Sequence, residues 1–423
     1  MLRTTMHNHT FLYHIIISLL FLSLAAGCGK PAQDKGTTLR TTETNLPIDD
    51  SLRQRVSKYI GKKDLKEKLA FCLYDITAEK MVYAYREDSL MPPASCLKLL
   101  TGIAAVKLLG PNFSFPTRLY TTGKIENGTL RGDLIISGGL SPMLTSTDLI
   151  PLFQNIRTQK IQNITGKIIL ALDVNERPSH EEHWIPGDLK RRKYGFFFQG
   201  KEHIEKEIAY LLHAQGLSFP HSSIVWAGIP KDSHCIGTLD TPIKDVLMTM
   251  WKHSANEKSE SLLYTLGKYS GHKDSLRHYG LAYLEKFIQE ELGRDSTSFR
   301  LHDGCGMCIH NALTASLIID LLRYAYQNKD TYNLMQETLP KSGVDGTLLR
   351  RLQKPRTKGR IIAKTGTLTR ENGISSLSGY FKDKQGHLLC FSIMNNHIPI
   401  ADAQLYQDKL CNEFLHTQKG EKR

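Results

Sequence analysis

The sequence predicts an α+β fold. Three observations carry that prediction: strand-forming runs gather at both ends of the chain, helical periodicity fills the stretch between them, and a turn-rich β segment interrupts it near residue 114. From residue 48, "IDDSLRQRVSKYIGKK" reads as a helix, and "KLAFCLYDI" and "KMVYAYRED" read as two strands joined by the turn "TAEK", hence a hairpin. An apolar helix follows in "MPPASCLKLLTGIAAVKLLG", residues 91–110. Residues 114–176 then change texture, with Asn-Gly and Arg-Gly-Asp corners between alternating β-forming runs. Helical patterns return at 201–216, 243–267, 277–292 and 312–326. "RIIAKTGTL", "ISSLSGYFKD" and "HLLCFSIMNN" read as three closing strands, and a helix over about 400–417 ends the chain. Strands at both ends predict one antiparallel sheet assembled from the two termini, with the β-rich middle as an insertion.

The chain has 423 residues, 40% hydrophobic and 23% charged, enough to bury a large core as a soluble globular protein. Its formal net charge of +13 would suit a polyanion. The N-terminus argues against nucleic acid, because it points to export. Residues 11–25, "FLYHIIISLLFLSLA", are too short for a membrane span and suit a signal-peptide core. Small residues follow in "LAAGCGK" and end on Cys28, the pattern of a bacterial lipoprotein whose cysteine becomes the lipidated first residue. An ordinary signal peptide is the competing reading. The expectation is therefore a lipoprotein signal peptide over 1–27, a polar Thr-rich tether over 28–47, and an exported, periplasmic protein held to a membrane through Cys28.

Eight cysteines stand at 28, 72, 96, 235, 305, 308, 390 and 411. Without Cys28 their number is odd and their density too low for a disulfide scaffold. Cys72 and Cys390 lie in strand-like runs and read as small core hydrophobes. "CGMC" at 305–308 has no second pair at zinc-ligand spacing, which favours a structural role. "HEEHW" at 180–184 spaces its histidines i, i+3, not the i, i+4 of a zinc-protease helix, and is assigned to a surface loop. No metal or cofactor is expected.

Three short motifs carry the chemistry. In Ser95-Cys96-Leu97-Lys98 the serine and lysine share a helical face, so hydroxyl and amine can meet. Serine needs a base to become a nucleophile, and lysine becomes that base once burial lowers its pKa. In Ser254-Ala255-Asn256 the serine can relay a proton and the amide can bond a lysine or a substrate carbonyl, although both residue types also suit a helix N-cap. In Lys364-Thr365-Gly366-Thr367, on a strand, lysine and threonine can hold a substrate carboxylate, the glycine admits a close backbone, and the Thr367 amide can pair with that of Ser95 as an oxyanion hole. Each motif is modest alone. Their order and contexts together resemble the Ser-x-x-Lys, Ser-Asp-Asn and Lys-Thr-Gly set of penicillin-binding proteins and class A β-lactamases.

With these motifs and the phrases "RGDLIISGGLSPMLTSTDL", "SESLLYTLG", "LHDGCGMCIHNALT" and "LPKSGVDGTLLRRL", the chain resembles the class C low-molecular-mass penicillin-binding proteins, the D-alanyl-D-alanine carboxypeptidase/endopeptidase group. The resemblance implies a penicillin-recognising serine transferase fold: a five-stranded antiparallel sheet with helices on both faces, a helical subdomain and an inserted β-rich domain. It implies a catalytic domain over 48–112 and 240–423, with the insertion over 113–239. It further implies acyl transfer from a peptidoglycan stem peptide ending in D-Ala-D-Ala, with Ser95 as nucleophile, Lys98 as base, and Ser254, Asn256 and Lys364 completing the catalytic set. Thr365, Gly366 and Thr367 would bind substrate, and β-lactams would acylate Ser95 covalently.

Several features depart from the family. The interval between Ser95 and Ser254 is short, which predicts little or no second nested domain after "WIPGDLKRRKYG" and counts against endopeptidase specificity, though not against the acylation chemistry, with D,D-endopeptidase as an added activity to be tested. Ala255 replaces a polar residue, Cys305 and Cys308 stand where serines are expected, which predicts altered substrate contacts, and the 370–373 loop is long. The competing functions are a serine β-lactamase and a decayed peptidoglycan-binding protein on the same scaffold.

Overall fold

The computed structural model describes residues 49–62, 65–174, 178–179, 181–185 and 194–416. The signal peptide, Cys28, the tether and His180 lie outside the described residues. The first helix, α1 (Asp50–Gly61), buries Leu52, Val56 and Ile60, a four-residue recurrence that gives it one apolar face. The hairpin β1 (Leu69–Asp75) and β2 (Lys80–Tyr85) follows. A single 3-10 turn at Ala94–Cys96 leads into α2 (Leu97–Leu109), apolar around most of its circumference and buried from Leu97 to Val106. The middle of the chain contains β3 (Ser114–Thr121), β4 (Lys124–Glu126), β5 (Thr129–Arg131), β6 (Leu134–Gly138), α3 (Leu149–Thr158), β7 (Asn163–Ile164), β8 (Ile168–Leu172), α4 (Lys201–Ala214), β9 (Ile224–Trp226) and β10 (His234–Pro242). The remainder runs α5 (Ile243–Leu247), α6 (Asn256–Tyr269), α7 (Leu276–Glu291), β11 (Phe299–Arg300), β12 (Ala312–Leu313), α8 (Ala315–Gln327), α9 (Lys329–Thr338), β13 (Ile361–Leu368), β14 (Ile374–Lys382), β15 (Leu388–Asn396) and α10 (Ile400–Phe414).

A strand apolar on both faces requires a layer on each side. β1 is buried along its whole length. Its Ala70, Cys72 and Tyr74 join a core with α2, α6 and α8, while Leu69, Phe71 and Leu73 join a second core with α1 and α10. The expected main sheet is present in the order β13-β14-β15-β1-β2. All four pairings are antiparallel, with Leu69 of β1 opposite Asn395 of β15, so the first and last strands close the sheet together. Cys72 and Cys390 are fully buried, as small core hydrophobes should be.

A second sheet, β10-β3-β6-β8-β9, has its own apolar cluster with α3 and α4. Here β10, β3 and β6 are antiparallel, whereas β6, β8 and β9 are parallel. Pro242 at the end of β10 pairs with Ser114 at the start of β3, so this stretch begins and ends side by side. One prediction from the sequence gains an element and another needs correction. The β-rich middle segment also holds a helix, because Leu149, Leu152, Phe153 and Ile156 recur at helical spacing and bury α3, with Pro151 tolerated in its first turn. The helix expected over 243–267 is broken: a π-turn at Met248–Lys252 follows α5, and Ser254 adopts a left-handed φ of 59° before α6 begins. Helix α9 is an addition to the helices expected from the sequence. Among the described residues no helix is long and apolar enough to cross a membrane.

The second face of the main sheet depends on aromatic packing. Phe391 is fully buried, with its ring 6.1 Å from Phe381 and 5.3 Å from Phe414. Phe391→Ala should lower unfolding free energy by about 3–5 kcal/mol, measured by denaturant titration. A loss below about 1 kcal/mol would contradict this packing.

Candidate active site

The turn that carries Ser95 begins where Pro92 and Pro93 bar a regular helix. Ala94 takes a left-handed φ of 45°, and Ser95 sits half-buried within the 3-10 turn that precedes α2. Such backbone strain persists only where surrounding structure holds it. The holding contacts come from the main sheet: the Ser376 hydroxyl donates to the Pro93 carbonyl, and the Cys96 thiol donates to the Lys364 carbonyl at 3.2 Å. Cys96 therefore has a role that its small size alone did not reveal. It ties the turn to β13.

Lys98 lies one helical turn after Ser95 and is fully buried, so desolvation pulls its pKa down despite the acidic groups nearby. Its Nζ lies 2.9 Å from Ser95 Oγ and 2.7 Å from Asn256 Oδ1, and it also donates to the Cys305 carbonyl. Two of these three neighbours can only accept. A neutral amine spends its two N–H bonds on Asn256 and Cys305, which leaves its lone pair directed at the Ser95 hydroxyl. The cap reading of Asn256 fails, since the α6 N-terminus has no side-chain cap and the Asn256 amide reaches across to Lys98 instead. Trp251 donates to the Lys98 carbonyl at 2.7 Å, and Gly102 leaves room for its ring, because a Cβ there would lie 2.3 Å from it.

Lys364 is buried in β13 and donates to Ser254 Oγ and to the Thr365 carbonyl, both at 2.8 Å. Burial, reinforced by the charge of Lys98, pulls its pKa down to about 7. The Thr365 hydroxyl donates to Thr347 Oγ1 at 2.7 Å, a partner in "KSGVDGTLL" that motif reading did not single out. Thr367 is exposed on the edge strand. Ala363, four residues earlier, sends its amide off the sheet to Pro340, so by strand alternation the Thr367 amide points to the same side. Gly366 adds to an expectation. A Cβ there would meet Ser376 Oγ at 2.1 Å and the Pro93 carbonyl at 2.6 Å, so its missing side chain lets β13 press on the turn that carries Ser95, a packing role beside the expected one. The eight motif residues expected to be functional thus lie around this junction, Ser95, Lys98 and Asn256 on one side and Ser254, Lys364 and Thr365 on the other, with Gly366 pressed between sheet and turn and Thr367 next along the edge strand.

The loop at 303–308 was the least legible part. Asp303 is fully buried and accepts from the amides of Cys305, Gly306 and Cys308, from Asn311 Nδ2 at 2.9 Å and from Trp184 Nε1 at 2.9 Å. Thr101 and Ser259 donate to the Gly304 carbonyl at 2.6 and 2.7 Å, which stitches the loop to α2 and α6. Gly306, at a φ of 80°, abuts the Ala94 carbonyl where a Cβ would clash at 1.9 Å. The loop so fixed presents the Cys305 carbonyl to Lys98. Glu260, buried against Arg277 at 3.2 Å and the Gly304 amide at 2.7 Å, is likewise committed to structure. Both thiols point inward, Cys305 fully buried and Cys308 1% exposed, so they do not replace serines as substrate contacts. Residues 181–184 of "HEEHW" are not a free surface loop either: Trp184 packs with Cys305, Met307 and Cys308, and Glu181 is buried. From the long 369–373 turn, Arg370 reaches the carbonyls of His183 and Met307.

This site and sheet define a penicillin-recognising serine enzyme. The chain belongs to the D-Ala-D-Ala carboxypeptidase 3 (S13) family, matched over residues 52–196 and 196–412, and is a serine-type carboxypeptidase of that family. It is 24% identical to the D-alanyl-D-alanine carboxypeptidase DacB of Haemophilus influenzae, over 82% of this chain and 90% of that protein. It is 32% identical to the D-alanyl-D-alanine carboxypeptidase of Actinomadura sp. strain R39 over 40% of this chain and 32% of that one. Among solved structures it resembles penicillin-binding protein 4 from H. influenzae, with a TM-score of 0.69 and 22% identity over 85% of this chain and 99% of that one. A predatory endopeptidase of Bdellovibrio bacteriovorus aligns with a TM-score of 0.54 and 19% identity, over 81% and 90%.

Burial of Lys364 has a stability consequence. Its folded pKa of about 7 lies below the ordinary 10.5, so between these values the unfolded chain binds more protons and stability rises with pH. The penalty is therefore full below about pH 7 and fades toward 10.5. Lys364→Met should abolish activity yet stabilise the fold by an amount on the order of a few kcal/mol at pH 6 and much less at pH 10, read by thermal unfolding. Equal effects at both pH values would contradict this.

Proposed function

We propose that Ser95 forms the acyl-enzyme of D-alanyl-D-alanine carboxypeptidation and that Lys98 is its general base. The observation that carries this reading is the saturation of Lys98 by two acceptors while its Nζ lies 2.9 Å from Ser95 Oγ. The Ser95 proton passes to Lys98 as Oγ attacks the carbonyl carbon of the penultimate D-alanine. The oxyanion is held by the amides of Ser95 and Thr367, preorganised by the strained turn and the edge strand. As the C–N bond breaks, Ser254 passes a proton to the leaving D-alanine amine, with Lys364 hydrogen-bonded behind it. Lys364 and Thr365 receive the substrate carboxylate, Thr365 being braced by Thr347. Water then gives a proton to neutral Lys98 as it attacks the ester carbon, Oγ leaves and takes that proton from Lys98, and the acid is released. A β-lactam carbonyl takes the same position, and its ring-opened ester remains on Ser95.

The inserted-domain reading of 113–239 belongs to this proposal. It is supported by the separate core of the second sheet and by the pairing of Ser114 with Pro242, which brings the two ends of that stretch side by side. Export and lipidation at Cys28 are supported by the N-terminal sequence and by a substrate that lies in the cell wall.

Two experiments test these readings. With a stem pentapeptide, Ser95→Ala should release no measurable D-alanine, and Lys98→Ala should lose roughly 10²–10⁴-fold in kcat/KM. Wild-type-like rates in Lys98→Ala would overturn its role. In cells, Cys28→Ala should abolish fatty-acid labelling of the chain and move it from the membrane to the soluble fraction; persistent labelling would exclude Cys28 as the anchor.

A further inference from the structure

Four side chains without a part in acylation meet on the outer side of the 303–308 loop. Glu181 and His183 come from "HEEHW", and His302 and Cys308 come from the loop that follows β11. One donor atom from each, a carboxylate oxygen, two imidazole nitrogens and a thiol sulfur, lie within 4.8 Å of one another. His183 Nδ1 is 2.7 Å and His302 Nδ1 is 3.8 Å from the same Glu181 oxygen, Oε1.

We propose that Glu181, His183, His302 and Cys308 form a binding site for one divalent cation of the Zn²⁺ class. The donor set selects the ion. Magnesium and calcium take oxygen ligands, whereas a thiolate with two imidazoles suits zinc. Tetrahedral bonds of about 2.0–2.3 Å separate donors by about 3.3–3.8 Å, so closure needs a movement of about 1 Å at the widest edge. Charge also closes: the Glu181 carboxylate and the Cys308 thiolate balance the two charges of the ion, and the thiol proton passes to solvent as the sulfur–metal bond forms.

The surroundings supply the outer support that ligands of a metal need. The Glu181 oxygen not facing the histidines, Oε2, accepts from the His183 amide at 2.9 Å. The Cys308 amide donates to Asp303 at 2.7 Å, and the His302 amide donates to Asn311 Oδ1 at 2.8 Å. Burial is graded as a loaded site requires, with Cys308 and Glu181 inside and the two imidazoles half-exposed along an open pocket that also includes His310. The His310 ring lies 4.3 Å from that of His183, within reach of the ion's outer sphere. The ion would clamp the 181–185 segment to the loop whose Cys305 carbonyl meets Lys98.

Cobalt reports on such a site because a cobalt–thiolate bond gives a near-ultraviolet charge-transfer band. Co²⁺ titrated into the metal-free full chain should raise that band to one equivalent, and one equivalent of Zn²⁺ should erase it, with one zinc per chain retained through gel filtration by elemental analysis. Cys308→Ser should lose the band, while the exposed-thiol variant Cys235→Ser should keep it. If Cys308→Ser does not fold by circular dichroism, His302→Ala, at a half-exposed position, tests the same set through at least tenfold weaker retention of zinc. No band in the wild type, a band surviving in Cys308→Ser, or unchanged zinc retention in His302→Ala would overturn the site.

Discussion

The account rests on one buried amine. Lys98 has no solvent to hydrate a charge, and two of its three neighbours, Asn256 Oδ1 and the Cys305 carbonyl, are acceptors. Desolvation favours the neutral form, and the hydrogen-bond geometry then directs the lone pair to Ser95. Much of the surrounding structure serves that arrangement. The Trp251 indole fixes the Lys98 carbonyl, Asp303 gathers three loop amides so that Cys305 faces inward, and the π-turn and left-handed Ser254 interrupt a helix just before Asn256.

The sheet supplies the second half of the site through long-range closure. β13 can press against the turn that carries Ser95 because β1 pairs with β15, bringing sequence ends into one antiparallel layer. Gly366 and Gly306 then allow backbone from the sheet and from the 303–308 loop to touch Ala94 and Ser95 without a side chain between. Lys364 enters the same interior, so two lysines share a dry space where only limited charge is tolerated. That frustration is a stability cost borne at a functional site.

Legibility in the sequence followed locality. The strands β1, β13, β14 and β15 and the motifs at Ser95, Ser254 and Lys364 could be read because each combines a short period with a distinctive residue order. Helix α3 was hidden by the β-forming, turn-rich texture around it, and the break at 253–255 by the apolar residues on either side of it. Thr347 and the Cys305 carbonyl could not be found by residue type, since one is an ordinary threonine and the other is backbone. The packing of "HEEHW" against "CGMC" joins segments over a hundred positions apart, and no pattern within either names its partner.

Intact-mass spectrometry of the chain after one addition of a β-lactam, followed in time and mapped by peptide digestion, tests the central claim most directly. The account predicts a single adduct of the full inhibitor mass on Ser95 that persists while free inhibitor is consumed stoichiometrically, and none in Lys98→Ala over the same interval. An adduct on any other residue, or rapid turnover of many equivalents with no adduct retained, would contradict it.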